Sequence, residues 1–207
     1  MAVVLAVVAV PGIAGAHVTL HPGQLPAGAT DVELVFRCPN ERSDATVVEL
    51  RVFLPVATPL LGVLTDPPPG WTARARTTTL PHPVTTDDGV VSAAVTEVEW
   101  RATSGGTPPG QYEDFPIAVG ALPNVTGTLV FKALQTYSNG DVAAWIQVAD
   151  ALDKNPPMPA PVLTLTASPA SAPASPSSTS TMEIAALAVA IAALLGVGVL
   201  AVVRRRR

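Results

Sequence analysis

Apolar residues recur at every second position along much of this chain, and the helical period of 3.6 is missing from its central stretch. In DVELVFRC, residues 31–38, Val32, Leu34, Phe36 and Cys38 share one face. In TVVELRVFL, Val48, Leu50, Val52 and Leu54 point one way while Glu49 and Arg51 point the other. AAVTEVEW sets Ala94, Thr96, Val98 and Trp100 opposite Glu97, Glu99 and Arg101. GTLVFKALQTY and DVAAWIQVA flank SNG, and Asn139-Gly140 is a type I′ hairpin signal. With HVTLHP and YEDFPIAVGA added, the pattern predicts about seven strands, punctuated throughout by proline and glycine. Short strands with one polar face each must bury the other. The predicted fold class is therefore all-β: a two-sheet sandwich, immunoglobulin-like or cupredoxin-like, with no internal repeat.

The ends read differently. Residues 1–16, MAVVLAVVAVPGIAGA, have the apolar core and A-x-A site of a secretory signal peptide, although a basic n-region is missing. Cleavage after Ala16 leaves His17 as the new amino terminus. The sandwich domain is expected over 17–154, and a semi-extended stalk rich in Pro, Ala, Ser and Thr over 155–182. Within that stalk a short apolar patch, Val162 to Leu165, is expected to touch the domain. Residues 183–203 include twenty uncharged apolar residues from Ile184 onward. At about 1.5 Å per residue such a helix crosses about 30 Å of hydrocarbon. The arginines at 204–207 are expected to form a cytoplasmic tail. These features predict a single-pass protein of the cell membrane with its domain on the extracytoplasmic side.

Charge narrows the partners. The chain carries 12 Lys+Arg and 16 Asp+Glu. Setting aside Arg204–Arg207 and Glu183 leaves eight basic against fifteen acidic residues in 17–154. An acidic domain with no basic stripe argues against nucleic acid. A single cysteine excludes an intrachain disulfide framework, so packing must hold the domain together.

The candidate chemistry starts at residue 17. An amino-terminal histidine offers an α-amine and an imidazole, both of which lose protons near neutral pH. The two nitrogens can chelate one metal. Nitrogen and oxygen donors in a tetragonal array suit Cu(II), whereas zinc more often asks for further His or Cys ligands.

The segments AHVTLHP, FRCPNERSDATVVELRVFLP, PPGW, VEWRA, GQYEDFPIAVGALP and GTLVFKALQTYSNGDVAAWIQ follow one another in this order. Their arrangement resembles the YcnI family of extracytoplasmic copper-binding domains over roughly residues 16–150. The resemblance implies a mono-histidine brace for Cu(II). Its amino-terminal histidine matches His17, its carboxylate ligand matches Glu41 in CPNE, and the tryptophan that closes over the metal matches Trp145 in VAAWIQ. It also implies a role in copper homeostasis, as a metallochaperone or buffer. The implied partners are the copper ion and a membrane copper transporter or another copper chaperone.

Other residues stay open at this point. Trp145 shares its strand face with Ala143 and Gln147, which favours a partly polar pocket, and Gln135 and Tyr137 could line the same pocket. Trp71 and Trp100 are expected in the core, and His82, between prolines, in a loop. His21 lies about 13 Å from His17 along an extended strand, so it is an auxiliary or second-site candidate. Cys38 is either a buried inert thiol or a soft Cu(I) ligand. Met158 and Met182 fall outside the expected domain, so no methionine-rich Cu(I) site is read. No enzymatic activity is expected, because a copper monooxygenase needs a second histidine against the first and neither His21 nor His82 is well placed. A metal-free adhesion or interaction domain is the alternative.

Overall fold

A computed structural model describes residues 17–168 apart from Asp88. It contains twelve strands: β1 (Thr19–His21), β2 (Gln24–Pro26), β3 (Thr30–Pro39), β4 (Val47–Phe53), β5 (Leu64–Thr65), β6 (Trp71–Thr86), β7 (Gly89–Ala102), β8 (Tyr112–Ala121), β9 (Gly127–Val130), β10 (Lys132–Tyr137), β11 (Val142–Trp145) and β12 (Val162–Thr166). Among the described residues every regular element is a strand, as the alternation predicts. The expected signal peptide at 1–16, the membrane helix at 183–203 and the basic tail at 204–207 lie outside the described residues.

Two larger sheets run β1-β3-β8-β5 and β11-β10-β4-β7-β6. Their inner faces meet through aromatic rings that the alternation places inward. Phe36 of β3 packs on Trp100 of β7 at 6.3 Å, and Phe115 of β8 packs on Trp100 at 5.4 Å and on Trp71 of β6 at 4.8 Å. Trp100, Phe36, Phe115 and Phe131 have no solvent exposure. Offset and edge-on contacts of this kind add about 0.5–1.5 kcal/mol each beyond the area they bury. On the outer face of the second sheet the alternating polar residues pair across strands. Arg101 meets Glu49 at 2.7 Å, and Arg51 meets Glu97 at 2.6 Å. Glu49 and Glu97 are buried beneath the partly exposed arginines, and the pairing leaves neither charge unpaired.

A third sheet was not expected. It runs β2-β12-β9, with β12 parallel to β2 and antiparallel to β9. Its Leu163 and Leu165 are buried in the common core. The domain therefore extends past residue 154. The beginning of the expected stalk, up to Thr166, is part of the fold, because two alternating leucines there find an apolar layer to enter. Met158, assigned to the stalk from sequence, packs against the same core.

Two local expectations change as well. His82 lies within β6, in an exposed stretch where the register to β7 shifts between Thr79 and Val84. β6 is an edge strand, which tolerates the prolines on either side of His82. The β10–β11 hairpin forms at Asn139-Gly140, but its turn is not type I′. Gly140 alone has positive φ, 89°, and its N–H donates to the Tyr137 carbonyl at 2.9 Å, while Tyr137 N–H donates to Asp141. That is a three-residue loop, a type I turn followed by a left-handed glycine.

Candidate metal centre

β1 is the edge strand of one large sheet and β11 the edge strand of the other. The candidate centre lies where these edges meet. β1 pairs antiparallel with β3, Thr19 opposite Arg37 and His21 opposite Val35. Continued in the same register, His17 falls opposite Pro39, the last residue of β3. Val18 and Leu20 turn inward and are buried, which anchors the segment. His17 is half-buried, and its ring lies against the indole of Trp145 with centroids 5.5 Å apart and planes at 56°.

Trp145 ends β11 opposite Ala133. It is 8 % exposed, and its Nε1–H donates to Gln135 Oε1 at 2.9 Å. Gln135 is wholly buried, and its Nε2 donates to the Pro39 carbonyl at 2.8 Å. The amide orientation follows from its partners: an indole N–H can only donate and a carbonyl can only accept. One side chain thus ties the end of β11 to the end of β3.

Glu41 stands two residues beyond Pro39, in a loop held from both sides. Asn40 is buried, and its Nδ2 donates to the carbonyls of Ala45 and Thr107 at 2.8 and 2.9 Å, while its Oδ1 accepts from Arg42 N–H. Arg42 clasps Asp44 through two bonds of 2.9 and 3.0 Å, reaches Asp141 at 2.6 Å, and lies 5.0 Å over the Tyr137 ring. These contacts bind the loop to the β10–β11 turn. Glu41 itself is exposed. Its charge is felt at Tyr137, whose phenol is pushed above its ordinary pKa first by burial, then by Cys38, with a smaller push from Glu41 and an opposing pull from Arg42. Tyr137 and Gln135 occupy the same buried phase of β10.

The structure therefore puts His17 directly against Trp145 and sets Glu41 at the same end of β3, near Tyr137. His21 faces outward, exposed, with its Nε2 3.1 Å from the Thr19 hydroxyl. Cys38 is completely buried, and burial, followed by the charge of Glu113, pushes its thiol well above the usual range. It is an inert thiol in this state, as one of the two sequence readings holds. Trp71 and Trp100 are core residues, as expected. Among the described residues no group of three or more His, Cys, Asp or Glu side chains converges on a metal-sized site. The mono-histidine brace that the resemblance implies needs only two such side chains, since its remaining nitrogen would be the α-amine of a chain that begins at His17. One imidazole, one amine and one carboxylate form a nitrogen–oxygen set that suits Cu(II).

Beside His17 runs a groove of about 300 Å³ between residues 17–20 and 159–162. A larger cavity of about 640 Å³, lined by Ala121, Leu122 and Asn124, lies at the opposite end of β8 from Tyr112, the partner of Pro39. Sequence reasoning missed Asn40 altogether and gave Gln135 only as a lining residue. A signal for Gln135 was present: it is the polar residue in the apolar phase of Leu129, Phe131, Ala133 and Tyr137.

A family model described as a domain of unknown function, DUF1775, fits residues 17–165. The copper-binding protein CutI of Bacillus subtilis (strain 168) is 29% identical over 138 residues, covering 67% of this chain and 59% of that protein. The chain thus spans about three-fifths of the length of the curated relative it matches. A crystal structure of an uncharacterized protein from Nocardia farcinica, described as immunoglobulin-like, superposes with a TM-score of 0.57 at 36% identity. It covers 73% of this chain and 99% of its own, so of the two sandwich types expected from sequence the immunoglobulin-like one is found. With the family match running from His17 into β12, the chain belongs to the DUF1775 family, the family of YcnI-like domains.

Proposed function

We propose that this protein is a membrane-anchored, extracytoplasmic Cu(II)-binding protein that captures, buffers or hands on copper outside the cell. The contact between the His17 imidazole and the Trp145 indole carries the reading: a histidine at an A-x-A cleavage site is held half-buried against an aromatic face. The copper-binding name of the B. subtilis relative supports the same cargo. In this reading the α-amine and imidazole of His17 and the carboxylate of Glu41 hold the ion. Trp145 covers it and limits water access. The carboxylate and two neutral nitrogens reduce the local charge of Cu(II) from two to one. The polypeptide binds copper and passes it to a membrane copper transporter or a second chaperone, and no catalytic step is assigned to it. The apolar segment 183–203 anchors it to the membrane.

Isothermal titration tests the reading. Cu(II) added to the chain beginning at His17 gives one tight site. The same chain with one glycine placed before His17 loses most of that affinity, because the amine moves off the chelate. Equal affinity of the two chains, or of a Glu41→Ala variant and its parent, contradicts the assigned donors. Absence of Cu(II) binding altogether favours the metal-free interaction domain.

A further inference from the structure

We infer that Gln135 is the positioning residue of the copper centre, holding the indole of Trp145 and the Glu41-bearing end of β3 in one fixed relation to His17. The inference rests on the function proposed above and deepens it.

Three separate segments must bring their residues to one place: the residues leading into β1 bring His17, the loop after β3 brings Glu41, and β11 brings Trp145. No strand pairing joins β3 to β11, which belong to different sheets. Gln135, on β10, spans them. Its backbone is fixed on both sides, opposite Leu50 of β4 and Ala143 of β11. Its Oε1 takes the Trp145 indole proton at 2.9 Å, and its Nε2 donates to Pro39 at 2.8 Å. Pro39 faces His17 in the continued register of β1 and β3, and Glu41 follows two residues later. The Arg42–Asp141 ion pair ties the Glu41 loop to the turn at the start of β11, whereas the Gln135 amide ties Trp145 itself, at the end of β11, to the end of β3.

A wholly buried polar side chain without partners costs about 1–3 kcal/mol, and a well-packed apolar residue would cost nothing of the kind. For packing alone, position 135 would serve as well with leucine or methionine, like its neighbours in the same phase. Gln135 has instead one donor and one acceptor spent on two elements of the site. Supporting hydrogen bonds of this kind orient metal-facing groups, and their loss typically weakens metal binding 10–100-fold.

The test uses the chain from His17 to Arg207. In the copper-free chain, NMR reads the indole N–H of Trp145, identified by its loss in Trp145→Phe. Solvent exchange of this proton is expected to be at least about tenfold slower than that of a free indole. Exchange at the free-indole rate overturns the proposal without any variant at 135. Gln135→Met preserves the volume and removes both bonds. Its Trp145 proton is expected to exchange faster, its Cu(II) affinity to fall about 10–100-fold, and the EPR spectrum of its Cu(II) form to change, while circular dichroism stays that of a β protein. A folded Gln135→Met with parental affinity and an unchanged EPR spectrum overturns the proposal. If the parent chain binds no Cu(II), the functional reading falls instead. The exchange measurement then still decides whether Gln135 holds Trp145.

Discussion

Trp145 and Gln135 are joined by a buried hydrogen bond of 2.9 Å, so the residue that faces His17 is held from behind by a side chain that never reaches solvent. A double-mutant cycle measures this link. Trp145→Phe keeps an aromatic face but leaves Gln135 Oε1 without its donor, and it should cost about 1–3 kcal/mol. Combined with Gln135→Met, the loss should be smaller than the two single losses added, by about 0.5–3 kcal/mol. Additive losses in chemical denaturation would mean that the bond contributes nothing.

Asn40 holds the Glu41 loop through the Ala45 carbonyl, which has no other donor among the hydrogen bonds described, and through the Thr107 carbonyl, which also accepts from Val47 N–H. Asn40→Ala should lower stability by about 1–3 kcal/mol, from the Ala45 carbonyl left without a donor and the Arg42 N–H left without its acceptor. Cu(II) affinity should fall with it, since Glu41 is freed to move. Denaturation midpoints and titrations on the same preparation check both.

Gly106 adopts φ of 72° beside the Val47 carbonyl, and a Cβ there would collide with that carbonyl oxygen. The neighbouring Thr107 pairs with Val47 in both directions and receives the Asn40 amide at its carbonyl. Gly106→Ala is therefore expected to cost about 3 kcal/mol through strain and displaced backbone. A thermal midpoint within a degree of the parent would show that the backbone gives way freely.

Acid should loosen the same loop. Hydrogen bonds from Arg42 hold the Asp44 and Asp141 carboxyls below the ordinary carboxylate range. A carboxyl depressed in the folded state contributes stability that is full above its unfolded pKa and is lost as pH falls through the folded one. Melting temperature should therefore drop below about pH 4. Arg42→Met should lower it at neutral pH and flatten this acid-side fall. Both carboxylates are exposed, so the effect should also shrink in high salt.

Cys38 should be silent to thiol reagents in the native protein at pH 8 and react once on unfolding, because burial keeps the thiolate unpopulated. Native labelling at the unfolded rate would reopen it as a metal-site thiol.

Much of this fold is legible in the chain because alternation survives where one face of a strand is buried. Val32 to Cys38 and Ala94 to Trp100 announce β3 and β7 in that way. β6 escapes notice because most of its residues are exposed at a sheet edge, leaving TARARTTT with no apolar phase and prolines on either side of His82. β12 is legible only in part: the patch Val162 to Leu165 is expected to touch the domain and does, but its linker-like composition hides a strand that its pairing with β2 and β9 reveals. The turn at Asn139-Gly140 signals a hairpin correctly, yet Asn139 does not take the left-handed conformation that type I′ requires. The residues that carry the candidate site, His17, Glu41 and Trp145, came from chemistry and resemblance. Those that hold it in shape, Asn40 and Gln135, depend on partners 67 and 96 residues distant, which local patterns do not encode.

The proposed centre requires a mature chain that begins at His17. Mass spectrometry of the protein recovered from the cell envelope reads this directly. The expected amino terminus is His17 with an unmodified α-amine. A terminus at any other residue, or a blocked amine, removes one of the two chelating nitrogens and contradicts the proposed centre.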